Sequence, residues 1–382
     1  MVRWSVLGGV VCMLASACAS SKPDFSFLSN EQWSSALRER GVDPQFLANP
    51  LTSTSDMKET AEVLARASGP GGPIEKLRNL QNGLFDEAQF PFQYRNRGTY
   101  TAAEAFYRRE GNCLSFTNLF VSLSRAIGLR TKTAFVTRRM PTERDGDLII
   151  VNTHVVAVYF EGLPKPYIFD FDRRPHERVE DAKPLDDLWI TALYLNNRGA
   201  DELRAAHPEI ALRFFEYAAL LAPEFVPAWG NLGVARRRVG DIPGAFEAYR
   251  RALERSADDP TILGNLASLY RLVGKESEAE AALAAANLAH ATPHVLVVRG
   301  DLELTKGNVA GALKLYKRAR REAPAAADPW VGMARVELTR NQTEKARSYL
   351  ERALALDPND ATARAFRLEL EEAAQTRRKS TK

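Results

Sequence analysis

Cysteine, histidine and net charge are all scarce in this sequence of 382 residues. It contains three cysteines and five histidines, and its formal net charge is only +4 at pH 7. Such a weak positive charge, without basic residues interleaved with aromatic ones, gives no support for nucleic-acid binding. No cluster of metal ligands and no glycine-rich phosphate loop is visible, so we expect no metal and no cofactor.

An apolar run near the N-terminus predicts secretion. Arg3 precedes the apolar residues 6–14, a run too short to span a membrane. It ends in Ala15-Ser16-Ala17-Cys18, small residues of the kind found before a signal cleavage site. These residues also resemble the bacterial lipobox, in which the cysteine is acylated, although Ala15 stands where leucine is commoner.

The resemblance to bacterial lipoproteins implies a lipid on Cys18, and an ordinary signal peptide cut nearby is the alternative. Ala19, rather than aspartate, after the cysteine implies sorting to the outer membrane. The expected location is therefore the bacterial cell envelope, as an outer-membrane lipoprotein facing the periplasm. We assign residues 1–17 to the signal peptide and residues 18–30 to a tether.

Cys113 remains as the single free thiol of a protein sent to an oxidising compartment. Cys12 leaves with the signal and Cys18 carries the lipid, so no internal disulfide partner is left. A buried, inert cysteine is the alternative, since free cysteine packs well in cores.

A predicted helix surrounds this thiol. Asn112 is a suitable N-cap, residues 114–127 are apolar or tolerate a helix, and Gly128 is a suitable stop. Cys113 therefore lies in the first turn, where the helix dipole and the unpaired N–H groups favour a thiolate.

The elements around this helix predict an α+β domain. Helices are expected over residues 31–38, 56–67 and 74–84, and another begins at Thr101, which forms a capping box with Glu104. After the Cys113 helix come strand-like runs over residues 130–137, 148–160 and 166–171, with a charged loop over residues 138–146. A helix followed by consecutive strands indicates an antiparallel sheet. The aromatic segment 90–94 is interpreted as core, with an aromatic rim of the active site as the alternative.

Two later residues complete a possible catalytic set. His154 lies in the strand-like run 148–160 and Asp170 lies near the end of the next, and pairing them centres the turn on Gly162. Opposed side chains in a hairpin have Cβ atoms about 4.5–5.5 Å apart, so the carboxylate could hold the imidazole. Asp172 fits nearly as well, because it has the same strand parity. A thiol at a helix start with a His and an Asp on later strands is the arrangement that nucleophilic catalysis needs; a structural histidine is the alternative.

These segments together resemble the transglutaminase-like superfamily. The resemblance is carried by Gly111-Asn112-Cys113-x4-Asn118-x3-Ser122-x2-Arg125-Ala126-x-Gly128-Leu129-Arg130, Thr153-His154-Val155 and Phe169-Asp170. It covers about residues 75–185 of a domain assigned to residues 31–190.

The resemblance implies a papain-like triad. Cys113 would be the nucleophile, with its own N–H as an oxyanion donor, His154 would move the proton, and Asp170 would orient the imidazole. Val155 departs from the family pattern, because many members carry an aromatic residue after the histidine.

The C-terminal part of the chain is repetitive. Alanines recur at spacings of 34, 34, 33 and 34, and a second alanine follows each one seven residues later; the first set is Ala211, Ala245, Ala279, Ala312 and Ala346. The period and the small residues resemble the tetratricopeptide repeat. We predict an all-α solenoid of five repeats over residues 191–362, followed over residues 363–382 by a cap helix and a tail disordered from Arg377 onward.

The resemblances imply a cysteine acyl-transfer enzyme acting on amide bonds, with a protease or amidase favoured over a cross-linking transglutaminase. Its substrate would be a periplasmic protein or a peptidoglycan peptide. The concave face of the solenoid would bind a protein or peptide partner, with a purely structural brace as the alternative. Arg236-Arg237-Arg238 is interpreted as a solvated helix face, with a basic docking patch as the alternative. A non-catalytic lipoprotein scaffold is the remaining alternative for the whole chain.

Overall fold

The computed structural model describes residues 27–66, 71–95, 98–136, 143–145, 148–150, 155–160, 166–171, 182–286, 291–358 and 360–380. The predicted signal peptide, Cys18, His154 and Asp172 lie outside the described residues. None of the described helices has both the length and the hydropathy that a membrane span requires.

Five helices form most of the N-terminal part. They are α1 (Asn30–Glu39), α2 (Ser55–Arg66), α3 (Pro73–Leu84), α4 (Ala102–Arg108) and α5 (Cys113–Ala126). The four helices predicted around the site are confirmed, as is the capping box between Thr101 and Glu104 at the start of α4. The cysteine helix also begins and ends as predicted: Asn112 is its N-cap, and Gly128 has φ +80° just after its C-cap.

A four-stranded antiparallel sheet packs on α5. Its strands are β3 (Lys132–Val136), β6 (Val155–Tyr159), β7 (Tyr167–Phe169) and β8 (Ala182–Leu185), in the order β7-β6-β3-β8. Two smaller pairs lie outside it: β1 (Gln93–Tyr94) runs parallel to β2 (Glu110–Gly111), and β4 (Glu143–Asp145) forms a hairpin with β5 (Leu148–Ile150). The predicted α+β fold class is confirmed.

Four details of the strand prediction are wrong. The charged loop predicted over residues 138–146 includes β4, and the run over 148–160 forms the two separate strands β5 and β6. The strand β8 went unpredicted, because Lys183 and Pro184 hide the usual alternation; a proline is tolerated there because β8 is an edge strand. In the β6–β7 ladder Ala157 pairs with Phe169, whereas the predicted register would pair it with Tyr167.

The helix α5 is buried on nearly every side. One face of the sheet, formed by Val155, Ala157, Tyr159 and Phe169, belongs to the same hydrophobic cluster as this helix. The rings of Phe120 and Phe169 stack with centroids 5.1 Å apart. The cysteine at the start of α5 therefore sits on a rigid central element.

The C-terminal part consists of five helix pairs and a final helix, as the repeats predicted. The pairs are α6 (Asp187–Arg204) with α7 (Pro208–Leu221), α8 (Val226–Arg238) with α9 (Ile242–Arg255), α10 (Pro260–Leu272) with α11 (Glu276–Ala285), α12 (Pro293–Thr305) with α13 (Val309–Glu322), and α14 (Asp328–Thr339) with α15 (Thr343–Leu356), followed by α16 (Ala361–Ser380). The helix α16 extends to Ser380, and the disorder expected from Arg377 onward stays a prediction.

Small residues let the helices of a pair approach closely. A Cβ built on Gly233 would lie 2.3 Å from the ring of Tyr249, and one on Gly300 would lie 2.6 Å from the ring of Tyr316. Both tyrosine rings are fully buried. The five alanines that revealed the period are also completely buried, which explains their recurrence.

The helix α6 is shared by both parts of the chain. It begins at Asp187, so the boundary placed between residues 190 and 191 falls inside it. The indole N–H of Trp33 on α1 donates to the hydroxyl of Thr191 at 2.9 Å, and both side chains are buried. A single hydrophobic cluster extends from Trp33 to Leu269. The first repeats therefore continue the core of the N-terminal part.

Candidate active site

Cys113 is the first residue of α5. The side chain of Asn112 accepts hydrogen bonds from the backbone N–H of Ser115 at 3.0 Å and from its hydroxyl at 2.9 Å. Cys113 is 5% exposed, so its sulfur is covered but not sealed off. Its backbone N–H belongs to the first turn, whose N–H groups have no partner within the helix itself. A developing negative charge beside Cys113 would therefore meet helix N–H donors.

A buried polar network holds this helix start in place. The amide of Asn112 donates to the hydroxyl of Thr99 at 2.8 Å, and the N–H of Tyr100 donates to the hydroxyl of Ser115 at 2.8 Å. The amide of Asn118, one turn further along, donates to the carbonyl of Tyr100 at 3.3 Å. These bonds fix the segment before α4 against the first turns of α5. Thr99 and Ser115 were missed by sequence reasoning, which recognised only the cap itself.

Gly111 is required by close packing. A Cβ on this residue would lie 2.4 Å from the Cβ of Ser115. Gly111 also pairs with Tyr94 in the parallel β1–β2 ladder, and its carbonyl accepts from the N–H of Arg95 at 3.0 Å. The glycine before the Asn-Cys pair therefore lets β2 pass directly against the first turn of the cysteine helix.

The strand that follows His154 reaches the same end of α5. Thr117 lies one turn after Cys113, and its hydroxyl donates to the backbone carbonyl of Val155 at 2.8 Å within the core. His154, which precedes Val155 in the chain, lies outside the described residues. Its assignment as the catalytic base thus stays a prediction, but the start of β6 is tied to the first turns of the cysteine helix.

Asp170 is buried directly after β7. It is 2% exposed, and its backbone carbonyl accepts from the amide of Gln81 on α3 at 2.6 Å. The next ring, Phe171, stacks on Tyr94 with centroids 4.4 Å apart and planes 12° from parallel. Because Tyr94 lies in β1 beside Gly111, this stack holds the end of β7 near the strand that leads into Cys113.

The identity of the third catalytic residue stays a prediction. The observed pairing of Ala157 with Phe169 has the register that the Asp172 alternative requires. Asp172 itself lies outside the described residues, so Asp170 and Asp172 both remain candidates.

The aromatic segment 90–94 contains both buried core residues and a partly exposed residue. Phe90 stacks on Phe106 at 5.2 Å and Phe92 packs against Phe116 at 5.6 Å, and both are buried, as the core interpretation predicts. Tyr94 is 39% exposed, and its partner Phe171 is half-buried. The Tyr94–Phe171 stack is thus the part of this segment that can form a rim.

Arg125, near the C-terminal end of α5, has a structural role. It donates to both carboxylate oxygens of Asp187, at 3.1 and 3.0 Å, and its guanidinium lies 3.9 Å from the ring centre of Phe27. Burial lowers the pKa of Arg125, and the carboxylate of Asp187 opposes that shift. This motif residue therefore joins the cysteine helix to the first turn of α6.

A cleft lies on the inner face of the repeats. It has a volume of about 720 Å³ and is formed by the first helices of successive pairs and by α16. Its charged lining residues are Arg237 and Arg238 on α8, Arg271 on α10, Asp301 on α12 and Arg335 on α14. Among the described residues, no group of His, Cys, Asp and Glu side chains could hold a metal ion.

Comparison with known families agrees with both parts of the fold. Residues 61–165 match the transglutaminase-like superfamily. Residues 196–260 and 303–370 match tetratricopeptide repeats. The chain thus carries a transglutaminase-like domain followed by tetratricopeptide repeats.

Individual relatives are similar over limited lengths. A stretch of 62 residues is 37% identical to the heat-shock protein cognate co-chaperone sgt12 of Aspergillus fumigatus, covering 16% of this chain and 18% of that protein. The tetratricopeptide protein TTC0263 of Thermus thermophilus is 18% identical over 47% of this chain and 98% of its own, with a TM-score of 0.41. Pseudomonas aeruginosa PilF is 19% identical over 48% of this chain and 91% of its own, with a TM-score of 0.36.

Proposed function

We propose that the transglutaminase-like domain is a cysteine acyl-transfer enzyme that acts on amide bonds. Cys113 is the nucleophile, His154 the base and Asp170 the orienting carboxylate, with Asp172 as the alternative for the third position. The observation that carries this proposal is the buried hydrogen bond from Thr117 to the carbonyl of Val155. It ties the strand that follows His154 to the helix that begins with Cys113.

The proposed reaction follows from the chemistry of these groups. His154 takes the thiol proton, and the thiolate attacks the amide carbonyl carbon to form a tetrahedral intermediate. The N–H of Cys113 stabilises the negative oxygen. The carbon–nitrogen bond then breaks, the imidazolium gives its proton to the leaving amine, and a thioester remains on Cys113.

Resolution of the thioester decides the class of enzyme. Attack by water releases a carboxylic acid and makes the protein a protease or amidase, the outcome that we propose. Attack by an amine would instead form a new amide and make it a cross-linking transglutaminase. In both cases we place the protein at the outer membrane, held by a lipid on Cys18 and facing the periplasm; the lipobox-like sequence supports this placement.

The repeats supply the partner surface in this proposal. Tetratricopeptide repeats generally bind proteins or peptides on their concave face. Because the first repeats share a core with the transglutaminase-like domain, a partner on the solenoid would be held at a fixed distance from Cys113. We therefore propose that the repeats bind a protein partner or the substrate itself.

A non-catalytic scaffold is the second candidate. It is favoured by Val155, which stands where many superfamily members carry an aromatic residue. In that case the domain would serve as a binding module, and the repeats alone would account for function.

The pH dependence of Cys113 alkylation separates the two candidates. The protein of residues 19–382 keeps every described element and has Cys113 as its only thiol. It is compared with His154→Ala and with the control His207→Ala, which removes an exposed histidine paired with Glu202 at 3.0 Å. An unperturbed thiol has a pKa of about 8.5, and activated cysteines have values of about 3.5–7.5.

The enzyme proposal expects rapid alkylation near pH 6 that is lost in His154→Ala and retained in His207→Ala. Alkylation that rises only above about pH 8 and is unchanged in His154→Ala would overturn it. Parallel measurements on Asp170→Asn and Asp172→Asn identify the orienting carboxylate, because only its loss should reproduce part of the His154→Ala effect.

A further inference from the structure

The helix α3 contacts β7 at both ends of the strand. The exposed guanidinium of Arg78 lies over the ring of Tyr167, the first residue of β7, 5.7 Å from its centre. About one turn further along α3, the side-chain amide of Gln81 donates to the backbone carbonyl of Asp170, directly after β7, at 2.6 Å. Residues three apart on a helix lie on the same face, so one face of α3 contacts both ends of the strand.

Asp170 lies beyond the described pairing of β7 with β6. The last pair at this end of the strand joins Ala157 to Phe169, one residue before the aspartate. The hydrogen bond from Gln81 is the next described contact to the main chain. It reaches a residue that is only 2% exposed. The amide of Gln81 therefore extends the fixed part of β7 by one residue, and that residue is the proposed orienting carboxylate.

The neighbouring strand is held in the same way. Val155, the first residue of β6, also lies outside the described β6–β7 pairs, and its carbonyl accepts from the hydroxyl of Thr117 on α5 at 2.8 Å. Both bonds run from a helix side chain to a main-chain carbonyl at a proposed triad position or directly beside one. Groups that act together at an active site must be held within about 0.5 Å of the productive geometry, and such anchors supply that support.

We propose that Gln81 is a positioning residue for the proposed triad, and that it holds the main chain of Asp170 so that the carboxylate orients the imidazole of His154. This inference rests on the proposed enzymatic function, and it selects Asp170 over Asp172 as the third member. An oriented carboxylate stabilises the imidazolium and therefore the thiolate beside it. Loss of the Gln81 bond weakens this support and makes the thiolate form only at higher pH.

The pH profile of Cys113 alkylation tests the proposal in the protein of residues 19–382. Gln81→Met removes the donor and keeps most of the side-chain length. The matched control is Asn79→Leu on the same helix, which removes an amide that donates to the main-chain carbonyl of Ala65 at 3.2 Å. Both variants thus lose a hydrogen bond from α3 to a main-chain carbonyl, but only Gln81→Met loses one beside the proposed triad.

We expect Gln81→Met to move the midpoint of the profile to higher pH. The alkylation rate near pH 6 should fall about three- to tenfold, the range that loss of one hydrogen bond implies. The plateau above about pH 9 should be unchanged, because the thiolate there forms without help from the imidazole. Asn79→Leu should leave the rate within about twofold at every pH. A rate that falls equally at all pH values, or an equal shift in Asn79→Leu, would overturn the proposal.

Combined variants separate positioning from a general structural role. If Gln81 acts through Asp170, Gln81→Met should have no further effect on the profile of Asp170→Asn, because residues of one network are not additive. It should keep its full effect in Asp172→Asn. The reverse pattern would overturn the proposal and assign the third position to Asp172. If circular dichroism shows that Gln81→Met is unfolded, Gln81→Ala is judged by the same criteria.

Failure of this proposal is distinguishable from failure of the enzyme proposal. A profile that His154→Ala leaves unchanged overturns both. A profile that depends on His154 but not on Gln81 overturns only the positioning role and leaves the enzyme proposal in place.

Discussion

The two parts of this molecule build their cores in opposite ways. The transglutaminase-like domain uses individual contacts once each, such as the stacked rings of Phe116, Phe120 and Phe169 and the network around Ser115. The repeats use one contact many times, with a small residue on one helix against a ring on the next, as in Gly233 with Tyr249. A change in the first part should therefore alter the geometry of a site, whereas a change in the second should cost stability locally.

The largest effect is expected from removal of the Arg125–Asp187 ion pair, which connects the N-terminal part to the first helix of the repeats. Arg125→Met leaves the carboxylate of Asp187 buried without its ion pair, and such a loss costs about 3–5 kcal/mol of unfolding free energy. Urea denaturation measures this cost. The control Arg250→Met removes an exposed arginine that pairs with Glu247 and Glu254 on α9, and it should cost far less, because solvent screens an exposed ion pair. Equal costs for the two variants would mean that the Arg125–Asp187 contact does not join the parts.

A smaller effect is expected when the same substitution, glycine to alanine, is made in each of the two regions. Gly111→Ala and Gly233→Ala each force a Cβ into an occupied position, and overpacking of this kind costs about 1–3 kcal/mol. Only Gly111→Ala should also slow alkylation of Cys113, because the displaced group is Ser115 in the first turn of α5. Thermal unfolding and alkylation rates are measured on both variants. If Gly233→Ala slows alkylation equally, the repeats are not independent of the site's geometry.

The smallest expected effect lies on the outer face of the repeats. Hydrogen bonds from Arg250 and Arg251 lower the pKa of Glu247 from its ordinary value of 4.5 to about 2. Since the pKa is depressed in the folded state, its stabilising contribution is present above pH 4.5 and is lost as the pH falls toward 2. The difference in unfolding midpoint between the unchanged protein and Glu247→Gln should shrink over this interval. A difference that stays constant with pH would contradict the assigned pKa.

The contrast between unique and repeated contacts also explains which elements could be predicted from the sequence. The repeats were predictable because buried alanines such as Ala245 and Ala346 recur at a fixed interval, so five weak signals reinforce one another. The start of α5 was predictable because Asn112 caps it through a local contact. The four residues of β8 were not, because a lysine and a proline on an edge strand resemble a loop.

The remaining features could not be predicted from the sequence because they depend on residues that lie far apart in the chain. Nothing near Arg125 in the sequence points to Asp187, which lies 62 residues further on. Thr117 and Ser115 appeared only as tolerated residues in an apolar helix, although their hydroxyls bond to Val155 and Tyr100. The predicted β6–β7 register placed Gly162 at the centre of the turn. The observed register, in which Ala157 pairs with Phe169, follows instead the packing of Phe169 on Phe120 of α5.

The shared helix α6 sets an order for folding during synthesis. Chains generally fold domain by domain as they leave the ribosome, beginning at the N-terminus. Here Trp33 and Arg125 must wait for Thr191 and Asp187, so the N-terminal core cannot close until α6 has emerged. A nascent chain that ends before α6 would leave the buried indole of Trp33 and the guanidinium of Arg125 without their partners Thr191 and Asp187. Chaperone capture should therefore peak at lengths just short of the first repeat and fall once that repeat is complete.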